Sequence, residues 1–203
     1  TLSYAEVKAL CAGDPRIREK MDLDVQVAKL RLLKSSHQNQ KYQLEDRLLQ
    51  YFPREIAAAK AAIMGCEADI KTRGAHPAPA DGFAGIELQG QHYDERVAAG
   101  EALLNIGSFR GFDVEVSLEA FGKHVLTLKG ALEHHVELGE DARGNISRIE
   151  NALTALDKKL GALNTRLTDL QRQVENARKE LEKPFPQEYE LREKSARLVE
   201  LNA

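Results

Sequence analysis

From Ile146 onward the apolar positions recur at steps of three and four: Ile146, Ile149, Leu153, Leu156, Leu160, Leu163, Leu167, Leu170, Val174, Ala177 and Leu181. A strict alternation of these steps averages 3.5 residues and holds one seam against a partner helix as the pair winds left-handed. Five such heptads, 35 residues at about 1.5 Å each, span roughly 52 Å. A helix cannot bury this stripe against itself, so the pattern demands a partner. Asp141 or Asn145 is placed to cap the helix start, because a short polar side chain accepts the free amide hydrogens of a first turn. Pro184 and Pro186 stop it, since proline lacks the amide hydrogen and its preceding residue avoids helical backbone.

The partner is sought in the amino-terminal half. Leu23, Val27 and Leu30, then Leu44, Leu48 and Tyr51, fall on one heptad repeat, and Ile56, Ala59, Ile63, Cys66 and Ile70 fall on another, shifted by about one residue near Pro53. Proline inside a helix breaks the hydrogen-bond ladder, so a kink or short break is expected there. Between Leu30 and Leu44 the seam is polar, with Lys34, His37 and Lys41. Polar seam residues weaken a simple zipper and fix register or face another surface. Pairing Ile56–Ile70 with the start of the carboxy-terminal arm closes an antiparallel hairpin. A third helix, Gln187–Leu201, is expected to return along the Leu23–Leu30 end.

Between the arms the period changes. His76–Gly85 is rich in Pro and Gly and reads as a loop. Phe112, Val114, Val116 and Leu118 alternate with polar residues, as do Leu126, Leu128, Leu132, Val136 and Leu138, the pattern of half-buried strands. Gly122-Lys123 reads as the hairpin turn between them, Ile86 and Leu88 as a further strand, and Asp94–Asn105 as a helix capped by Asp94. The resulting expectation is an α+β, mainly α fold: a long antiparallel helical hairpin (coiled coil) with a small antiparallel β-rich cap, β-α-β-β, inserted at its tip. Residues 1–73 supply the junction and first arm, 74–140 the cap, and 141–203 the heptad helix and short return helix.

Composition supports the helical reading: Ala, Leu, Glu, Lys and Arg make about half of the 203 residues, aromatics are 5% and Trp is absent. Mean hydropathy is −0.45, and no apolar run approaches the roughly 20 residues of a membrane span. The chain begins at Thr1 without a secretion signal, and its two cysteines, Cys11 and Cys66, suit a reducing interior. A cytoplasmic piece of a larger protein is expected. The net charge of −3 conceals an asymmetry. Residues 16–73 carry twelve Lys/Arg against eight Asp/Glu, residues 74–140 four against eleven, and residues 141–203 twelve against eleven. A polyanion is expected to avoid the acidic centre.

Motifs that would carry chemistry are few. There is no GxxxxGK[ST] loop, and Gly107–Gly111 suits a strand entrance better than a nucleotide turn. His134 and His135 are adjacent, and adjacent strand residues point to opposite faces, so they do not share a metal. His134 falls on the apolar face and reads as a satisfied structural histidine. Cys66 lies on the heptad stripe and reads as a buried small hydrophobe. No carboxylate is placed beside an inferred apolar pocket, so acid–base catalysis has no candidate. Val25–Leu44 is the unusual surface: Lys29, Arg31, Lys34 and Lys41 with no acid in twenty residues. A solvated helix face is its ordinary meaning. Contact with phosphates requires that the charges share a side, and Lys34 and Lys41 share a heptad position.

The phrases TLSYAEVKALCAGDPRIREKMDLDVQVAKLRLLKSSH, LEDRLLQYFP, FRGFDVEV, LKGALEHHVELGEDARGNISRIENAL and KPFPQEYELREKSARLVELNA resemble the carboxy-terminal region of large bacterial Swi/Snf-type helicase and DNA adenine methylase fusion proteins of mobile elements and phages. The resemblance covers nearly the whole chain. A Walker lysine, an acidic box and an Asn/Asp-Pro-Pro-aromatic methylase motif are missing, so the resemblance carries over no catalytic residue and implies that any ATP hydrolysis or methyl transfer lies upstream of Thr1, with SYAEVKALCAGDP as the junction. Taken with the acid-free basic stretch, it points to a non-catalytic accessory region, without cofactor or metal, that braces the helicase lobes or contacts DNA, with Lys29, Arg31, Lys34 and Lys41 as the candidate contacts. Membrane and small-molecule partners are not expected. The reading from a different class is a coiled-coil protein-interaction rod with no DNA contact. Intramolecular pairing of the heptads predicts a monomer.

Overall fold

A computed structural model describes Tyr4, Lys8, Gly13 and residues 15–80, 82–118 and 122–202. The junction phrase before Pro15, including Cys11, lies largely outside the described residues. The protein is α+β and mainly helical, with one six-stranded antiparallel sheet. It forms two compact units, Thr1–Pro53 with Arg172–Ala203, and Arg54–Gln171.

The first unit is built on α1 (Pro15–Asp46). Its apolar seam residues Val27 and Leu30 are buried with Phe185 and with Leu191 and Leu198 of the last helix, Glu188–Asn202. Ion pairs from Glu19 to Arg197 (2.7 Å) and from Lys34 to Glu188 (2.8 Å) lie along the same contact. Low residue numbers on α1 meet high ones on the last helix, so the two run antiparallel, as the sequence pattern predicts. The polar seam continues with His37, whose ring lies 5.7 Å from that of Phe185 and whose Nε2 is buried without a hydrogen-bond partner.

Near Pro53 the expected break takes a specific form. The helical ladder continues from Pro15 to Ala75, but Arg47–Tyr51 form a π turn before α2 (Phe52–Ala75). The Phe52 amide donates to the Arg47 carbonyl, five residues back. Proline has no amide hydrogen to donate, and its ring crowds the carbonyl one turn earlier; a widened turn relieves both. The extra residue also accounts for the phase shift. In strict heptads Leu44 and Leu48 are followed by Tyr51, but the buried side chain is Phe52, from which Ile56, Ala59, Ile63, Cys66 and Ile70 follow at steps of four and three.

The second unit contains the sheet. The strands are β1 (Ile86–Leu88), β2 (Gln91–Tyr93), β3 (Gly107–Phe109), β4 (Phe112–Leu118), β5 (His124–Lys129) and β6 (Glu133–Glu137), in spatial order β2-β1-β3-β4-β5-β6. The expected β-α-β-β cap is therefore corrected to a β-β-α-β-β-β-β sequence. β2 and β3 are three residues each, too short to show alternation. The single strand read from Leu126 to Leu138 is two, because Gly130, Ala131 and Leu132 turn back with Gly130 donating to the Leu132 carbonyl. The helix expected over Asp94–Asn105 is α3 (Arg96–Glu101), and the residue preceding it is Glu95, with no side-chain cap. Of the proposed β4–β5 turn, residues 119–121 lie outside the described residues.

Alternation places Ile86, Leu88, Phe109, Phe112, Val114, Leu126, Leu128 and Val136 on one face of the sheet. That face is closed by Ala99 and Leu103 and by Ile146, Ile149, Leu153 and Leu156 of α4 (Ala142–Thr154) and α5 (Leu156–Glu182). Asp141 caps α4 through the Gly144 amide at 2.8 Å, while Asn145 instead brackets both backbone groups of Gly139. The heptad helix is interrupted once, at Ala155, yet α5 still ends at Glu182, before Pro184.

A buried carboxylate ties the β5–β6 turn to α2. Asp69, 1% exposed, accepts from the amides of Ala131 (2.6 Å) and Leu132 (3.0 Å) in the β5–β6 turn and lies 2.7 Å from His134 Nε2. Two glycines allow this approach. A Cβ on Gly130 would sit 2.2 Å from Asp69 Oδ1, and one on Gly65, a helical turn before Asp69, would sit 2.6 Å from the Leu132 side chain. Further along α2, Arg73 reaches the Leu153 carbonyl and Asp157, and Arg110 from the β3–β4 turn donates to the carbonyls of Arg73 and His76 where the helix ends. A cation on these last carbonyls also meets the negative end of the helix dipole.

Removing the Asp69 carboxylate strands two amides that have no other acceptor. Each buried unsatisfied donor costs about 1–3 kcal/mol, so Asp69→Ala is expected to lower the unfolding free energy of the Arg54–Gln171 unit by about 3 kcal/mol or more in urea titrations. A loss below about 1 kcal/mol would show that the turn is held by packing alone.

Candidate functional site

The four basic residues singled out in the sequence all lie on α1 but do not form one face. Successive helical residues turn by about 100°, which sets Arg31, Lys34 and Lys41 within a sector of roughly 80° and Lys29 well outside it. Lys34 sits on the buried seam and is held by Glu188. Lys41 is half-buried on the same seam, and Arg31 is exposed at its edge. Lys29 lies on the opposite flank, where it lines a cleft with Gln26, Leu33, Gln187 and Glu190. Arg31 and Lys41 are thus the cations of this stretch that share a side and make no ion pair among the described residues. They are separated by ten residues, about 15 Å along the axis.

Sequence reasoning missed a second feature beside them. Tyr42 adjoins Lys41 and is exposed. At the π turn the Arg47 guanidinium lies over the rings of Tyr51 and Phe52, at 5.4 and 5.0 Å. A widened turn commonly marks a functional position in a helix. Its only signal in the sequence was the phase shift before Pro53.

The second cluster of chemistry-bearing side chains is Asp69, His134 and Lys159. Lys159 Nζ is 3.2 Å from His134 Nδ1. An ammonium has only hydrogens to offer, so Nδ1 accepts, Nε2 carries the ring proton, and that proton is donated to Asp69. Both ring nitrogens are therefore occupied. The Asp69 oxygens are occupied too, and the ring of Phe112 stands edge-on to His134 at 6.0 Å. His134 is buried with both ring nitrogens engaged, which fits the satisfied structural histidine that the sequence suggested, and the exposed member of the cluster is Lys159. His135 points to the other face and meets Thr127 Oγ1 at 3.0 Å.

The rest of that outer face is a polar ladder, with Lys129 on Glu115 and Lys123 on Glu137 at 2.9 Å. These contacts hold the Lys129 ammonium above its usual range and the Glu137 carboxyl below its own. Arg197 is likewise pushed above the ordinary guanidinium range by Glu19 and Glu200. Among the described residues no cluster of three or more His, Cys, Asp or Glu side chains is arranged to hold a metal, and no helix is long and apolar enough to cross a membrane.

Compared with known protein families, curated proteins and solved structures, the chain matches none.

Cys66 is fully buried, with Sγ 3.6 Å from the Leu156 carbonyl, and burial pushes its thiol above the ordinary value. The thiolate is the reactive form, and raising the pKa removes it at neutral pH. In a Cys11→Ser background, Cys66 is expected to resist a thiol reagent at pH 8 until urea unfolds the unit. Labelling of the native protein at the rate of a free thiol would contradict this.

Proposed function

We propose that this chain is a non-catalytic accessory region of a DNA helicase or helicase–methylase, and that it contacts nucleic acid through α1. The observation that carries the reading is the acid-free basic stretch of α1, on which Arg31 and Lys41 share a side and make no ion pair among the described residues. The sequence resemblance to the carboxy-terminal region of such proteins supports it, and so do the exposed Tyr42 beside Lys41 and, further along the helix, Tyr51 under the Arg47 guanidinium, because aromatic faces stack on unpaired bases. Lys34 contributes less than its heptad position suggested, being neutralised by Glu188.

A long antiparallel hairpin that carries the sheet fits this role. Within the sheet-bearing unit the helices meet in reverse order, Glu55 with Arg166, Cys66 with the Leu156 carbonyl and Arg73 with the Leu153 carbonyl, which supports a braced pair of arms. The alternative, a protein-interaction rod, is favoured by one observation, the exposed apolar side chains Val25, Leu32 and Tyr42 on the side of α1 away from its buried seam.

Fluorescence anisotropy against duplex, forked and single-stranded DNA across a salt series tests the DNA reading. Binding is expected to weaken with salt, and replacing Arg31 and Lys41 together with Gln is expected to flatten the log–log slope by about two. Lys34→Gln is expected to leave the slope nearly unchanged. Absence of binding at low salt, or a slope indifferent to the double replacement, would overturn the proposal.

A further inference from the structure

α1 carries a second heptad stripe on the side away from its buried seam. Met21, Val25, Ala28, Leu32, Ser35, Asn39 and Tyr42 follow at steps of four and three. Val25 is 70% exposed, Leu32 73% and Tyr42 60%. Large apolar residues scattered singly on a surface need no explanation, but a run in heptad register is the pattern of a helix–helix seam.

The charges beside this stripe indicate what covers it. Asp22 and Lys29 flank one edge and Asp24 and Arg31 the other. All four are exposed, and none forms an ion pair among the described residues. On each edge the sign changes from negative to positive over one heptad. A stripe whose flanks reverse sign in this way is complementary to itself when turned end for end.

We infer that α1 pairs antiparallel with α1 of a second copy of this chain, about a twofold axis between residues 26 and 27. Val25 then packs on the partner's Ala28 and Met21 on the partner's Leu32. In antiparallel pairs each edge faces the same edge of its mate. Asp24 therefore meets the partner's Arg31, and Asp22 meets the partner's Lys29. Symmetry doubles both contacts to four ion pairs with no like-charge encounter. A parallel, in-register pair keeps Asp24 against the partner's Lys29 and leaves Asp22 opposite the partner's Ile17, half as many. The self-complementary patch is what a closed twofold interface requires. The overlap runs from Pro15 to Gln38, about 36 Å of helix.

The ion pairs are solvent-exposed and set orientation more than affinity, so the dimer is reversible and weakens with salt. It also draws Arg31 away from DNA, so the dimer competes with the proposed nucleic-acid contact, although the inference itself does not rest on that contact.

Sedimentation velocity of the whole chain without DNA, over a concentration series at low salt, tests the pairing. The wild type is expected to show a monomer–dimer equilibrium. D22K/D24K and K29E/R31E, each with four like charges on the flanks, are expected to dimerise at least about tenfold more weakly, and an equimolar mixture of the two is expected to recover the dimer. Asp22→Lys alone weakens an antiparallel pair and leaves a parallel one unchanged, which fixes the orientation. All four substitutions are at exposed positions, and circular dichroism checks that helix content is retained. A wild type that stays monomeric, a dimer insensitive to the charge reversals, a mixture no better than its components, or an indifferent D22K would each overturn the inference.

Discussion

A buried carboxylate organises the sheet-bearing unit. Asp69 is almost fully buried, and it remains tolerable there because three donors converge on it, two turn amides and the His134 ring. The dependence runs both ways. Without Asp69 the β5–β6 turn would bury two amides with nothing to accept them, and without that turn α2 would bury an uncompensated charge. Lys159 fixes the tautomer from the far side of the ring, so the order of donors and acceptors is determined along the whole chain from Lys159 to Asp69. The neighbouring side chains conform to this contact, with glycine at 65 and 130, where any larger residue would collide with Leu132 or with the carboxylate itself.

The regular part of this arrangement is readable in the sequence. Heptad spacing locates the helices, the alternation of Phe112 to Leu118 locates β4, Asp141 marks the start of α4 and Pro184 the end of α5. Even the π turn announces itself as a one-residue phase slip, although its form, with Phe52 in place of Tyr51 on the seam, is not evident. The rest is hidden for physical reasons. Three-residue strands such as β2 and β3 are set by their neighbours' free hydrogen-bonding groups and carry no period of their own. The turn at Gly130–Leu132 keeps the alternation in phase on both sides, so two strands read as one. Asp69 looks like any solvated acid on a helix, because the turn that satisfies it lies more than sixty residues away in the chain. A glycine four residues before it on the same helix is the available hint.

The candidate site is legible in part. The acid-free stretch of α1 is evident, but the pairing of Lys34 with Glu188 across 154 residues is not, and the second stripe is masked because the first absorbs the apolar residues that a single seam requires. The two units differ in a way that bears on function. In the sheet-bearing unit the polar groups of the core and of the outer face are matched to one another, through Asp69, the Lys129–Glu115 and Lys123–Glu137 pairs and Thr127–His135. On α1, exposed apolar residues and unpaired charges of both signs stand together. Charges and apolar surface left unmatched among the described residues are the material of recognition, and this contrast is what motivates the proposal of a contact surface on α1.

Amide chemical-shift mapping of the full chain titrated with a short forked DNA tests this division most directly. Shifts are expected to concentrate between Arg31 and Tyr51, with the amides of β4, β5 and β6 unmoved. Shifts centred on the outer face of the sheet, around Glu115, Thr127 and His135, with α1 silent, would contradict it.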